Sequence, residues 1–577
     1  MNNGAIAQVF QDMADLLELK EENPFKIRAY ERAAHTIISL PTELEHVMQE
    51  GKLREIPGIG EAIASKITEL LSTGRVEAYE RLRAEFPETI GSLMSVPGVG
   101  PRIAGRLYRE LGVSTVEELE SAILDGRVAD MYRLGEKKAD SILRHIQSLR
   151  RKDQRVPLGE ALPVAEHVIG VLEGCAGVRS LVAAGSLRRF RETVGDIDIM
   201  GTADSPAPVI EAFVSMPEVE EVLAEGTTKA SVVMKGGPQV DLRLVEHESF
   251  GSLLQHFTGS KEHNVALRDW AVRRGLSLSE YGITVTGTGE THRFDSEEKF
   301  YEWLGLQIPP PELREGGSEV ELAERWELPP LVELADIRGD LHAHTEWSDG
   351  YDTIQAMAEA ARAKGYSFLA ITDHSGGRGI AGGLSAERLR EQIAAVREVD
   401  GKLRDLRLFA GSEVDIRADG SLDYEDDVLA ELDVVIAAVH SAMEQDRGKM
   451  TARIVRAVEN PRVRVLAHPT CRLIGVRDPV DVDLDEVFRA AVRTNTAIEI
   501  NAMPNRLDLK DTHVKRALEM GVKLAIGTDA HSVSHLDLMR FGVGVARRGW
   551  CRAGDILNTW PLDAVEAFLK RGVTDNG

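Results

Sequence analysis

The sequence predicts a multidomain protein built in three styles: an all-α N-terminal region, a mixed α+β unit, and a C-terminal (β/α)7 barrel. Three observations predict it. A Pro-Gly-apolar-Gly turn occurs twice near the N-terminus, and a strand, a Gly-Ser turn and a second strand bearing Asp196 and Asp198 follow. Beyond Asp336, histidines stand repeatedly at the ends of β-like runs that alternate with helical patterns. At 577 residues the chain is too long for one hydrophobic core.

Composition narrows the class. With 43% hydrophobic and 28% charged residues the chain reads as soluble and globular, and no apolar run nears the roughly 20 residues of a membrane span. The N-terminal stretch lacks the basic start and cleavage site of a secretory signal, so a cytoplasmic protein is expected. Three scattered cysteines (Cys175, Cys471, Cys551) build neither a disulfide framework nor a thiolate zinc ribbon, which leaves His and carboxylates to hold any metal. A net charge of -25 argues against polyanion binding until it is located: through Arg155, 22 Lys and Arg face 25 Asp and Glu, so that segment carries only -3 and the remainder -22.

In the N-terminal region, "IPGIGEAIASKI" (56–67) is echoed by "VPGVGPRIAGRL" (96–107), and "RLGEKKADSIL" (133–143) is a third copy lacking one glycine. Gly58 and Gly60, like Gly98 and Gly100, let the backbone turn tightly at a helix start and leave N–H groups free for a phosphate. One such turn could simply join two helices; the repetition is what points to function. The pattern resembles the helix-hairpin-helix motif, which implies a sequence-independent grip on a DNA backbone. Upstream, "NPFKIRAYERAAHTI" sets Lys26, Arg28, Tyr30 and Arg32 around a helix start, which alone could be a solvated face. With the first hairpin it resembles the small N-terminal domain of DNA polymerase beta. That resemblance implies DNA contacts at Lys26, on the 5′-phosphate of a gap, and at Tyr30. It also places Lys66 where the family carries a Schiff-base lysine for 5′-deoxyribose phosphate, chemistry that needs a neutral amine. Ala62 stands where the family has a neighbouring lysine.

In "LVAAGSLRRFRETVGDIDIM" (181–200), Asp196 and Asp198 are two apart, so their carboxylates leave one face of a strand while Ile197 and Ile199 enter the core. Asp241, in the strand "GPQVDLRLV", can supply a third oxygen ligand for Mg²⁺ or Mn²⁺. An Asp-x-Asp pair alone is usually a surface feature; preceded by Gly185-Ser186 and followed by a strand Asp, it resembles the nucleotidyltransferase palm. Two-metal nucleotidyl transfer fits polymerases and small-molecule enzymes alike. "HFTGSKEHNVALRDW" (256–270) is similar to the thumb of family X DNA polymerases. The resemblance implies nucleotide or template contacts by Gly185, Ser186, Arg189, Gly195, His256, Phe257, Gly259, Ser260, Asn264 and Arg268. His256 stands where that family usually has Tyr, which leaves sugar selectivity open.

Residues 306–335, rich in Pro, Gly and Glu without sustained periodicity, read as a linker. Beyond them come seven strand-helix units. Six of the eight histidines after Asp336, together with Glu413 and Asp529, stand at or just past strand ends, the face where barrel chemistry assembles. The ordered motifs "HAH", "TDH", "HP" and "DAH" resemble the PHP domain, a distorted TIM-like barrel of the polymerase and histidinol phosphatase family. That resemblance makes His342, His344, Asp349, His374, Glu413, His440, His468, Asp529 and His531 ligands of about three divalent metals, Mn²⁺, Zn²⁺ or Fe²⁺.

The expected domains are 1–85 and 86–155 (helix-hairpin-helix), 156–247 (palm), 248–305 (thumb), 306–335 (linker) and 336–577 (PHP). The expected function is that of a bacterial family X DNA polymerase, filling short gaps in base excision repair or end joining. Gapped or primed duplex DNA and dNTPs are its partners, its state monomeric, with no membrane. The barrel is expected to act as a 3′-5′ exonuclease or 3′-end phosphoesterase, with weak lyase or abasic-site cleavage as an addition. An inert DNA-end scaffold is opposed by the complete ligand set; a small-molecule nucleotidyltransferase or phosphatase pair is opposed by the hairpins and thumb.

Overall fold

A computed structural model describes residues 3–38, 44–49, 51–56, 59–87, 89–94, 96, 98–131, 134–136, 138–140, 142–143, 146, 155–377 and 382–570. The chain divides into two compact units, Met1–Gln154 and Arg155–Gly577.

The first unit is helical. Its core gathers Phe10, Met13, Leu19, Ile37, Ile67, Leu93, Leu107 and Leu119 from successive amphipathic helices. Helices Glu61–Thr73 and Pro101–Leu111 start the same way, each capped by a glycine in extended conformation, Gly60 (φ -79°, ψ 175°) and Gly100 (φ -71°, ψ 172°). Both end at a left-handed glycine, Gly74 or Gly112. The sequence repeat is therefore a structural repeat at its helices. Gly98, at φ +90°, is in a conformation that L side chains rarely adopt, while Gly58 lies outside the described residues.

The second unit contains the palm, thumb and barrel. The palm sheet runs Val178–Ala183, Ile197–Ala203, Gln239–Val245, Lys229–Met234, Val219–Glu225; the second and third strands are parallel and all other pairs antiparallel. Helices Leu158–Glu173 and Pro206–Val214 supply Val168, Leu172, Val209 and Phe213 to its core.

The thumb combines helices Phe250–Thr258, Lys261–Val272 and Glu297–Leu304 with a small antiparallel sheet. Here the structure corrects the reading of 306–335. The segment carries a helix, Glu319–Arg325, and buries Leu306, Leu313, Val320, Ala323, Leu328 and Leu331 in the thumb core. Within it Arg314, fully buried, pairs with Glu297 at 2.5 Å; burial alone would raise the Glu297 carboxyl, but Arg314 and Arg188 hold it down to about 2. Prolines and glycines shape this path without loosening it, because its apolar residues have a surface to cover.

The barrel has seven parallel strands in sequential order: Gly339–Asp340, Phe368–Ile371, Arg407–Asp415, Val434–Ala438, Val465–Leu466, Ala497–Asn501 and Leu524–Gly527. A parallel bridge between Ala343 and Ala530, with His344 N–H donating to the Ala530 carbonyl at 2.7 Å, brings the last strand's end to the first. An inner apolar layer of Phe368, Phe409, Val434 and Ile436 packs with Val565, Phe568 and Leu569 of the last described helix, Leu562–Lys570. No described helix is long and apolar enough to cross a membrane.

Candidate active sites

The palm site begins with register. Asp198 and Asp241 are direct partners in the parallel strand pair, which puts both carboxylates on one face of the sheet, whereas Asp196, expected within the strand, stands immediately before its first residue, Ile197. Gly185 (φ +59°) turns over them: an added Cβ would lie 2.4 Å from Asp198 Oδ2, so only glycine lets the backbone approach. The Ala184 N–H donates to the Asp198 carbonyl at 2.8 Å, fixing the start of helix Gly185–Arg188, which contains Ser186. Gln239 donates to both oxygens of Asp241 at 3.0 and 3.1 Å. Three half-buried carboxylates beneath a tight turn form a donor set suited to hard cations and a phosphate chain.

Around it, the thumb residues divide. Arg243 lies 4.6 Å over the Phe257 ring, and His256 packs edge-on to that ring at 5.1 Å, its proton affinity lowered by burial. The Gly259–Ser260 peptide is cis, and Ser260 caps the next helix by accepting from the His263 N–H at 3.1 Å. Arg268 is exposed. Asn264, expected to touch nucleotide or template, is buried and spends its amide on the His256 carbonyl (2.8 Å) and Gln255 (2.9 Å). Arg189 donates to the Thr258 carbonyl at 2.6 Å.

In the first unit, Lys26 is exposed and paired with Glu22 at 2.7 Å, and Lys66 Nζ lies 3.4 Å from the Ala62 carbonyl of its own helix. Tyr30 departs from expectation: its ring is buried and stacks on Phe10 at 6.0 Å, because it occupies the apolar side of its helix.

The barrel gathers all nine expected residues. Three ligand groups lie with their donor atoms within 4.8 Å: His344, Asp349, His374 and His531; His342, His344 and Asp529; and His374, Glu413 and His440. His468 Nε2 joins at 2.8 Å from Glu413 Oε1. His468 (φ +27°) and Asp529 (φ +54°) hold left-handed backbones, strain that this cluster retains. Burial pushes His344 down to about 4, with His374 and His531 adding to it, so its ring is neutral, the form a metal requires. For His374, burial is outweighed by Glu413 and Asp349, which raise it to about 10; the same anionic field would attract divalent cations. His344 Nδ1, which faces Asp349 at 3.9 Å, is buried without a hydrogen-bond partner among the described residues, as befits a nitrogen left for a ligand. The donor set thus fits divalent metals.

Sequence reasoning missed the residues standing behind these ligands. Glu499 lies 2.6 Å from His342 Nδ1 and accepts from the His468 N–H at 2.9 Å, and Asp415 lies 2.5 Å from His440 Nδ1. Asn501 donates to both Glu499 and Asp529. The signal was present as two polar residues within the buried run "AIEINA".

Comparison with known proteins agrees with this architecture. The helix-hairpin-helix domain family matches residues 1–76, the SAM-like helix-hairpin-helix tandem 90–148, the DNA polymerase beta thumb 253–315 and the PHP domain 340–502. The chain belongs to the family X DNA polymerases that carry a C-terminal PHP domain. It is 41% identical over 573 residues to the DNA polymerase/3′-5′ exonuclease PolX of Bacillus subtilis, covering 99% of this chain and 100% of that protein. Separately, 40% of the chain is 29% identical to probable phosphatases of Thermoanaerobacter sp. and Shewanella sediminis, covering 94% of each.

Proposed function

We propose that this protein is a DNA-directed DNA polymerase that fills short gaps during repair and removes 3′ nucleotides with its barrel. The observation that carries the reading is the pairing of Asp198 and Asp241 in register beneath Gly185, in one chain with a nine-residue His and carboxylate cluster. In the palm, Asp196, Asp198 and Asp241 would hold Mg²⁺ or Mn²⁺, the Gly185-Ser186 turn would take the phosphates, and the hairpin helix starts would hold the DNA backbone. In the barrel, the nine ligands would hold about three ions drawn from Mn²⁺, Zn²⁺ and Fe²⁺. When bound, such ions supply Lewis acidity toward a phosphoester and its attacking water. The protein's own part is orientation: Glu499 fixes His342, Asp415 fixes His440, and Glu413 stays ionised at the centre because His440, His374 and His342 outweigh its burial.

The test is a labelled single-nucleotide gap with a 3′-hydroxyl, with and without dNTPs, across Mg²⁺, Mn²⁺ and Zn²⁺. Extension with dNTPs and shortening without them are expected; neither would end the reading. The likeness of the barrel to probable phosphatases favours a second use, removal of a 3′-phosphate, and a 3′-phosphate primer in the same assay separates the two. A weak lyase role for Lys66 is checked by borohydride trapping on a 5′-deoxyribose phosphate end. We take the working form as a monomer, testable by sedimentation.

A further inference from the structure

The palm turn is supported from behind by a barrel helix. After helix Gly185–Arg188 the chain passes through Phe190, at φ +58°, whose ring lies against helix Met539–Arg548. A Cβ on Gly544 would stand 2.0 Å from Phe190 Cδ1, so the ring occupies the space that glycine leaves, and Phe541 of the same helix flanks it at 6.1 Å. One turn on, Arg548 is buried. Its Nη1 donates to the Arg189 carbonyl at 2.6 Å and to Glu315 at 2.9 Å, while Nε and Nη2 hold Asp511 of the barrel at 2.8 and 2.6 Å. The same Glu315 oxygen accepts from Arg189 Nε at 3.2 Å, and Arg189 Nη1 reaches the Thr258 carbonyl beside the Gly259–Ser260 turn. Contacts thus run unbroken from Asp511 in the barrel through Arg548, Glu315 and Arg189 to the thumb.

We propose that helix Met539–Arg548 positions the nucleotide site: Gly544 seats Phe190, and Arg548, acting through Glu315 and the Arg189 carbonyl, holds Arg189 and the two Gly-Ser turns in one arrangement. The inference rests on the reading of the palm as the site of nucleotide addition. An arginine without fixed partners samples many rotamers, and a planar guanidinium fork holding two carboxylates removes that freedom in advance. Neither Gly544 nor Arg548 belongs to a metal cluster, so the effect falls on the fit of the nucleotide rather than on cleavage in the barrel.

The experiment measures dNTP KM and kcat on a single-nucleotide gap for the full-length protein and for Arg548→Ala, Arg548→Lys and Gly544→Ala, with 3′ removal and Tm alongside. Arg548→Ala and Gly544→Ala are expected to raise KM about tenfold with kcat changed less than about threefold and 3′ removal within about twofold of wild type. Arg548→Lys, which restores the charge but not the fork, should recover about a third of the lost affinity. Unchanged KM at unchanged Tm overturns the proposal, and so does equal loss of both activities with a fallen Tm, which would make the helix mere scaffold. Should Arg548→Ala not fold, Glu315→Gln, which leaves the Arg548–Asp511 pair in place, decides the matter by its KM. A wild-type protein that adds no nucleotide would instead remove the underlying reading.

Discussion

The palm and the barrel solve the problem of holding metal in opposite ways. The palm offers three half-buried carboxylates on or beside two adjacent strands. The barrel gathers nine candidate ligands from six strand ends, most of them buried, six of them imidazoles, with a carboxylate or amide behind several. A half-buried oxygen set suits a cation that comes and goes with each nucleotide; a buried imidazole-rich set suits one that stays. The difference teaches that one polypeptide can carry two donor sets of different chemistry, oxygen-only in the palm and imidazole-rich in the barrel.

The sharpest way to break this comparison is Asp198→Ala. Loss of nucleotide addition by about a thousandfold or more is expected, with DNA binding and 3′ removal intact. A mutant that extends the primer normally would show that the palm is misassigned. Its mirror is His344→Ala or Asp529→Ala, expected to abolish 3′ removal and lower the metal content of the purified protein while gap filling continues; shortening at the wild-type rate would move the nuclease to the palm. Glu499→Gln sharpens the comparison more gently. It keeps an oxygen near His342 but weakens the acceptor, and metal affinity of the barrel should fall about 10- to 100-fold in a chelator competition, with no change in extension. The smallest effect is expected from His256→Tyr, which should shift the ratio of deoxyribo- to ribonucleotide incorporation by about threefold to tenfold. Identical ratios would make the departure silent.

How much was legible follows from the same contrast. The histidines, Glu413 and Asp529 of the barrel cluster could be read because they stand at or just past the ends of apolar runs, while Asp349 was named only by resemblance. Glu499 and Asn501 stand in such a run too, yet a carboxylate lying behind a histidine looks in sequence like any strand Glu. The shared face of Asp198 and Asp241 was readable from strand alternation; Asp196 stands just before the strand, where alternation does not apply. Arg548 was not, because its partners Arg189 and Glu315 are more than two hundred residues away and it sits in an ordinary basic helix end. Tyr30 misled because it stands among basic residues while its ring faces inward. The stretch 306–335 misled by composition: its prolines suggest slack, and only the fold reveals the surface its leucines cover.

That stretch has a consequence for anyone who would take the chain apart. The Ser260 N–H donates to the Arg314 carbonyl at 3.0 Å, and Arg314 neutralises Glu297, which also binds Arg188 beside the palm turn. A polymerase fragment ending at residue 305 would therefore leave a buried carboxylate with half its counterions and a helix start without its anchor, a defect on the scale of about 3–5 kcal/mol. Cut after 335, the same fragment would keep both. Prolines and glycines in a sequence therefore do not mark where a chain can be cut; the surface its leucines cover does.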